Sequence, residues 1–382
     1  MKKMARKILI ATDTYLPKHD GVVIFLEKII PRISEEFEIT ILAPNFENKE
    51  MKQIGKAKVI GLEISKKLKL ASYSSIKLSR KNRKIIKQQV KEADIIWAQD
   101  PAPIGALSMI YGKRYKKIVL TYTHQIIWEH LAEVLPWSKL AKLVTTKLTE
   151  LITKYLYNKC DLILVPYRDL AEELKEMGFK SKKAVIRLGV DSEKFKPAED
   201  KTEAKQLIGV DPKLKVITYC GRLSKEKGLQ TLRRAFIRLK DEHKNIFLLL
   251  VGSGPERQHF KNISNTKITG FVKNVVPYLQ ATDIFVMPSS TETTSLATIE
   301  AMSCEIPVIA TKVGYIKDYV IEKFNGMLIP PGNDYLLRKK IELILRDPRL
   351  RRLMGKKARK TVMQRFDWEK TVKLVNKALE MF

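Results

Sequence analysis

Residues 284–310 read IFVMPSSTETTSLATIEAMSCEIPVIA, in the order strand, polar loop, helix, strand. Ile284–Pro288 is an unbroken apolar run of strand length, and Val308–Ala310 is a second, shorter one. Ser295–Ser303 between them has the composition of a helix. Two buried strands joined through a helix lie parallel in one sheet, with helices covering its faces.

The alternation continues in both directions. Lys215–Cys220, Ile246–Gly252, Lys267–Gly270 and Gly326–Ile329 read as further strands, with helices over Gly228–Glu242, Val275–Ala281 and Asp334–Arg346. Upstream runs a separate series of strands: Ile8–Ala11, Ile39–Ala43, Val59–Gly61, Ile95–Ala98, Ile118–Tyr122, Leu162–Pro166 and Ala184–Arg187. Its helices include Val22–Ser34, Ser79–Lys91 and Ser138–Asn158, and Gly189–Asp211 reads as a linker. The expected fold is α/β: two doubly wound Rossmann-like domains facing a cleft. The first spans residues 1–190 and the second 191–367; an amphipathic segment, 368–382, packs back towards the N-terminal domain. Ligands of such sheets sit outside the carboxyl ends of the strands, so the cleft is the expected site.

Bulk properties narrow the class. The 382 residues suit two cores, and a hydrophobic fraction of 45% is that of a globular protein. Cys160, Cys220 and Cys304 are far apart, which argues against disulfides and a zinc site and fits a reducing compartment. The apolar run after Lys7 ends at Asp13, too soon for a signal peptide, and no stretch has transmembrane length. A cytoplasmic protein, or one peripheral on the inner face of the cell membrane, is the expectation. Net charge is +30, and residues 49–91 hold 14 Lys or Arg against Glu50 and Glu63. Such charge attracts nucleic acid, anionic lipid or phosphorylated substrates. Tyr73 is the lone aromatic of that stretch, and neither a helix-turn-helix nor a zinc pattern occurs, so nucleic acid is the weakest of the three.

The candidate site residues fall where strands end. Around Thr294, Ser295 and Leu296 a loop passes into a helix, and its free N–H groups and positive dipole end suit a diphosphate. Glu300, further along that helix, suits the vicinal hydroxyls of a ribose; Glu292 lies eight residues before it. Plain helix-surface charge is the competing reading of that pair. Arg222 and Lys227, flanked by Gly221 and Gly228 in CGRLSKEKGL, are two cations after a buried strand, able to neutralise a leaving diphosphate. In PKHDGV, Gly21 lets backbone approach a diphosphate, or else the turn simply enters a helix with Asp20 as its cap. His124 in TYTHQIIWEH follows a strand and is directed at the cleft. Gly252 opens VGSGP after another strand.

Taken in order, these segments resemble the retaining glycosyltransferases of family 4, which have the GT-B fold. There the loop reads Glu-Gly-Phe-Gly-Leu followed by Glu-Ala; here Leu296, Glu300, Ala301, Pro307 and Val308 match, while Thr293, Thr294 and Ser295 replace Gly-Phe-Gly. CGRLSKEKGL is similar to the family's Gly-Arg-x5-Lys-Gly, VGSGP to its Gly-x-Gly turn, and Gly21 to the second glycine of its Gly-Gly-Val. The resemblance implies a metal-independent hexosyltransferase with no cofactor, using a UDP- or GDP-sugar donor with retention of configuration. It implies His124, Arg222, Lys227 and Glu292 as the catalytic set. Gly21, Gly221, Gly252, Thr294, Ser295, Leu296 and Glu300 would bind the donor. The chain looks most like the glycolipid-forming branch, the diacylglycerol glucosyltransferases and phosphatidylinositol mannosyltransferases. A membrane-lipid acceptor is expected, with Ile76, Leu78, Ile85 and Ile86 among the cations of 49–91 forming an amphipathic surface on anionic lipid. Cations and interfacial aromatics at Leu135, Pro136, Trp137 and Ser138–Asn158 would add to it. Alternatives are a soluble sugar or polysaccharide acceptor, and an epimerase of the same fold.

Overall fold

The computed structural model describes residues 5–18, 20–47, 49–70, 73–124, 126–128 and 138–382, with backbone alone at 66–70, 73–75 and 139. The chain divides into two compact units, residues 1–187 with 368–382, and residues 188–367.

The first unit holds strands β1 (Arg6–Ala11), β2 (Phe37–Pro44), β3 (Lys58–Leu62), a hairpin of β4 (Ile64–Leu70) and β5 (Tyr73–Ile76), then β6 (Ile95–Ala98), β7 (Ile118–Tyr122), β8 (Leu162–Val165) and β9 (Lys182–Val185). Seven of them form a parallel sheet in the order β3-β2-β1-β6-β7-β8-β9. The central strands are apolar along their length because helices cover both faces, and residues 8–11, 95–98 and 162–165 are all buried. Phe25, on the helix Gly21–Ile33, anchors that cover, with its ring 5.9 Å from Trp97 and 4.9 Å from Tyr122. Against the same helix lies Trp368–Glu380: Glu369 pairs with Arg32 at 3.1 Å, and Thr371 donates to the Arg187 carbonyl.

The second unit holds β10 (Lys215–Cys220), β11 (Ile246–Val251), β12 (Thr266–Ile268), β13 (Ile284–Met287), β14 (Val308–Thr311) and β15 (Gly326–Ile329), all parallel, in the order β12-β11-β10-β13-β14-β15. Both sheets therefore have the 3-2-1-4-5-6 winding of a Rossmann domain. One small device recurs in both. The residue before β6, β8 and β13 is an aspartate, and each carboxylate accepts a backbone N–H near the start of the neighbouring strand in the sheet. Asp94 takes Lys7 N (2.9 Å), Asp161 takes Val119 N (2.8 Å) and Asp283 takes Val216 N (2.9 Å).

Three expectations need correction. The boundary falls at Leu188 rather than after 190, because Val190 donates its N–H to Phe366 and bridges Asp367 in the second unit. The linker reading of Gly189–Asp211 gives way to a helix, Lys201–Leu207, capped by Asp200 through Thr202 N. Of the four apolar residues expected on a surface in 49–91, Ile76 and Ile86 are buried, Ile85 is half-buried and Leu78 stands exposed. Residues 135–137, expected to carry interfacial aromatics, lie outside the described residues. Among the described residues no helix is long and apolar enough to cross a membrane.

Candidate active site

In a sheet wound 3-2-1-4-5-6, the loops leaving the first and fourth strands run to opposite faces and open a crevice between them. In the second unit these are the loops after β10 and β13. The β10 loop runs through Gly221 and Arg222 into a 3-10 turn, Lys225–Lys227, and then the helix Leu229–Glu242. The β13 loop, Pro288–Ser295, feeds the helix Leu296–Ser303. The two loops are stitched together. Ser290 donates its N–H and its hydroxyl to the Glu226 carbonyl at 2.8 and 3.0 Å. Lys227 Nζ lies 2.7 Å from Glu292 Oε1, which also accepts from Ser289 Oγ at 2.9 Å. The pair is largely shielded, with side chains 24% and 10% exposed.

Glycine is required at this junction. Gly228 adopts φ 63°, and a Cβ there would stand 2.0 Å from the Pro288 carbonyl oxygen. Gly314, which the sequence reading did not single out, has φ 50° and would put a Cβ 1.8 Å from the Glu292 carbonyl oxygen. Both let a second loop press against the backbone that carries Glu292.

The start of the helix Leu296–Ser303 has three features. No side chain caps it, so nothing from the protein's own side chains blocks its first-turn N–H groups. Ser295, at its N-cap, holds φ 58° and ψ 80°, a left-handed conformation costing a non-glycine residue about 1–2 kcal/mol. The Thr294 hydroxyl is buried without a hydrogen-bond partner among the described residues, while the Thr294 carbonyl accepts from Tyr319. Strain and an unsatisfied buried hydroxyl at one turn are what a ligand-binding loop retains.

The Glu300 carboxylate makes no hydrogen bond or ion pair among the described residues. Burial pushes its carboxyl up to about 7, against the opposing pull of Lys194. Its charge, after burial, raises the Cys220 thiol, which sets Glu300 beside the end of β10. Arg222 is exposed and its carbonyl accepts from Tyr219. Gly221 and Gly252 follow the adjacent strands β10 and β11, and Gly221 N donates to Val251 at 2.9 Å. Arg222, Lys227, Glu292, Thr294, Ser295, Leu296 and Glu300 thus all stand at the carboxyl edge of one sheet.

Gly21 and His124 belong to the first unit. Gly21 opens the helix Gly21–Ile33, but Asp20 caps it, accepting from Val22 N and Val23 N at 3.1 and 3.0 Å. Those amides are therefore occupied by a carboxylate where a phosphate would need them. His124 follows β7; its Nε2 lies 2.9 Å from Gln99 Oε1 and its ring packs on Tyr122 and Phe25. Burial holds the imidazole down at about 3, so it is neutral at physiological pH. The Gln99 amide nitrogen is buried and unpartnered among the described residues.

The sequence reading missed a carboxyl pair here. Asp13, just past β1, accepts from Ile104 N and Gly105 N at 2.9 and 3.2 Å. Asp100, just past β6, accepts from Ala102 N at 2.9 Å. Burial, then the Asp100 charge, raises Asp13 well above the carboxylate range; burial, with Asp20 adding to it, pushes Asp100 up to about 6. An aspartate two residues past an apolar strand was the available signal.

The group among the described residues with chelating spacing is Glu242, His243 and Glu342. Its carboxylates are already engaged by Arg338, Arg346 and Lys339. It precedes β11, at the opposite edge of the sheet from the residues above.

Two Rossmann-wound units in one chain define the GT-B fold. The structure of Anabaena HepE in complex with UDP-glucose shares it, with a TM-score of 0.77 and 20% identity over 98% of this chain and 100% of that one. Residues 19–194 match the model for Glycosyltransferase Family 4 and residues 200–361 that for Glycosyl transferases group 1. The chain therefore carries one domain of each kind in succession. It is 30% identical to the sulfoquinovosyl transferase SQD2 of Arabidopsis thaliana, over 57% of this chain and 44% of that protein. It is 32% identical to the putative teichuronic acid biosynthesis glycosyltransferase TuaC of Bacillus subtilis, over 49% of this chain and 48% of that one. The chain spans about half the length of each of these two relatives.

Proposed function

We propose that the protein is a glycosyltransferase that holds a nucleotide-diphosphate sugar on its second unit and passes the sugar to an acceptor hydroxyl. The observation that carries this reading is the Lys227–Glu292 pair, which joins the loops after β10 and β13 at the switch point of the sheet. A cation fixed before the donor arrives needs no reorganisation when charge builds on the departing diphosphate. Beside it lie the uncapped helix start and Glu300, a carboxylate short of donors that suits a ribose diol. The sugar C1–oxygen bond would break with its electrons passing to the diphosphate, while the acceptor oxygen bonds C1 on the same face and gives its proton to the departing diphosphate oxygen. That path retains configuration and calls for no metal, with Arg222 and Lys227 supplying the positive charge. Glu292 would position the sugar.

HepE, whose structures hold UDP and UDP-glucose, makes UDP-hexoses the first donors to test. A lipid hydroxyl is the preferred acceptor; the name of TuaC favours a polysaccharide as the second reading. Thermal-shift titration with UDP- and GDP-sugars tests the donor half, since a ligand of the native state raises its melting temperature. A rise of several degrees with one nucleotide series is expected. No shift with any of them at millimolar concentration defeats the proposal.

A further inference from the structure

The helix Lys139–Tyr157 of the first unit is polarised the wrong way round for a surface helix in water. Leu140, Leu143, Val144, Leu148, Leu151, Ile152 and Tyr155 are between 51% and 72% exposed. Their spacing keeps them within one half of the helix circumference, along most of a length of roughly 28 Å. Thr153, Leu156 and Tyr157 are buried on the other side, where the Tyr157 ring meets Phe179 at 5.9 Å and its carbonyl accepts from Ser181. No other helix among the described residues exposes more than two large apolar side chains. Scattered exposed apolar residues need no explanation; seven in one stripe mark a docking face.

Charge selects the occupant. The helix carries four lysines and one glutamate. Lys147, paired with Glu150 at 3.0 Å, is 67% exposed, and Lys159 Nζ stands 4.6 Å from the Tyr155 ring. A second copy of the chain would set these lysines against their own twins, with a net charge of +30 on each partner. A bilayer rich in anionic lipid accepts both features, the stripe sinking to the headgroup–acyl boundary and the lysines meeting phosphates.

We infer that the exposed stripe of Lys139–Tyr157 docks the first unit onto an anionic membrane surface. The docking follows from the helix alone. That it serves a lipid-borne acceptor rests on the glycosyltransferase reading above.

The test is co-sedimentation of the full chain, without donor, with vesicles of phosphatidylcholine alone or with one third phosphatidylglycerol, at low and high salt. The parent is expected to pellet with the anionic vesicles and to be released in large part by salt. Leu143→Glu/Leu148→Glu/Leu151→Glu should lower its partitioning at least tenfold. Leu143→Ser/Leu148→Ser repeats the measurement should the triple variant not fold. A parent that stays in the supernatant at low salt overturns the inference, as does a triple variant that still pellets. So does a parent dimer that the substitutions convert to monomer without altering lipid binding, which would make a second copy the occupant. Nucleotide-sugar thermal shifts are read separately: their absence beside lipid-dependent pelleting removes the transferase reading and leaves the docking in place.

Discussion

Past the carboxyl ends of β1 and β6, two aspartates stand buried together, the Asp100 charge adding to the burial that raises Asp13; past the ends of β10 and β13, a lysine and a glutamate meet at 2.7 Å. The two sheets have the same winding and open the same kind of crevice. Their loops give the crevices opposite electrostatics. A diphosphate beside Asp13, Asp20 and Asp100 would meet like charge, and the helix start it would need there is already capped by Asp20. At the other switch point the helix start is uncapped and a cation is fixed nearby. The winding thus supplies two places for a ligand, and a handful of loop residues decides which of them takes an anion.

The sharpest way to break this contrast is Lys227→Ala. Transfer should fall about 100-fold or more, the usual cost of losing one preorganised charge or donor at a developing oxyanion. Lys227→Arg should recover part of it, and a melting curve checks that the fold survives. Steady-state rates within a few-fold of the parent would remove Lys227 from the chemistry.

The second effect concerns Glu300. A carboxyl raised by burial to about 7 is ionised only above that pH, so acidification protonates it. If the ribose diol needs the carboxylate, donor affinity should weaken by about tenfold between pH 8 and pH 6. Calorimetric titration at both pH values measures this, and Glu300→Gln should flatten the dependence. An equally steep dependence in that variant would assign the proton elsewhere.

The smallest effect sharpens the acidic side. Because Asp13 and Asp100 are both raised in the folded unit, ionising them costs stability as pH climbs from about 4 past 6. Asp100→Asn removes one charge and keeps an acceptor for Ala102 N. The variant should be more stable than the parent by about 1 kcal/mol at pH 8 and indistinguishable from it near pH 4. Thermal unfolding at the two pH values decides, and a loss at pH 8 would show that Asp100 does more for the fold as an anion than it costs.

Both sheets were legible because parallel strands covered on two faces are apolar at nearly every position, as in Ile95–Ala98 and Ile284–Met287. The helix Pro348–Arg365 was not, since only Met354, Gly355, Ala358, Thr361 and Val362 turn inward among many cations. Nor was the antiparallel pair Ile64–Leu70 and Tyr73–Ile76, since the lysines of the first strand read as solvated surface. At the candidate site, the loop from Pro288 and the two cations could be read from residue type and position after a strand. Three things could not: that Lys227 and Glu292 touch, that Gly314 backs the Glu292 carbonyl, and that Ser295 holds a left-handed turn. Each depends on a contact or a dihedral that residue order does not encode. The exposed stripe was hidden for a related reason. Spacing gives a helix an apolar side, but only packing decides whether that side faces the core, and in Lys139–Tyr157 it does not.

The last helix, Trp368–Glu380, has a consequence for biosynthesis. It belongs to the first unit, so that unit is split in sequence around the whole of the second. On the ribosome, about 180 residues must emerge between Arg187 and Trp368, which at ordinary elongation rates takes on the order of ten to forty seconds. During that interval the inserted unit can finish folding, since the Val190–Asp367 bridge brings its own ends together. The first unit meanwhile waits with Phe25 short of the Trp368 ring and Arg32 short of Glu369, and the later segment completes the earlier unit.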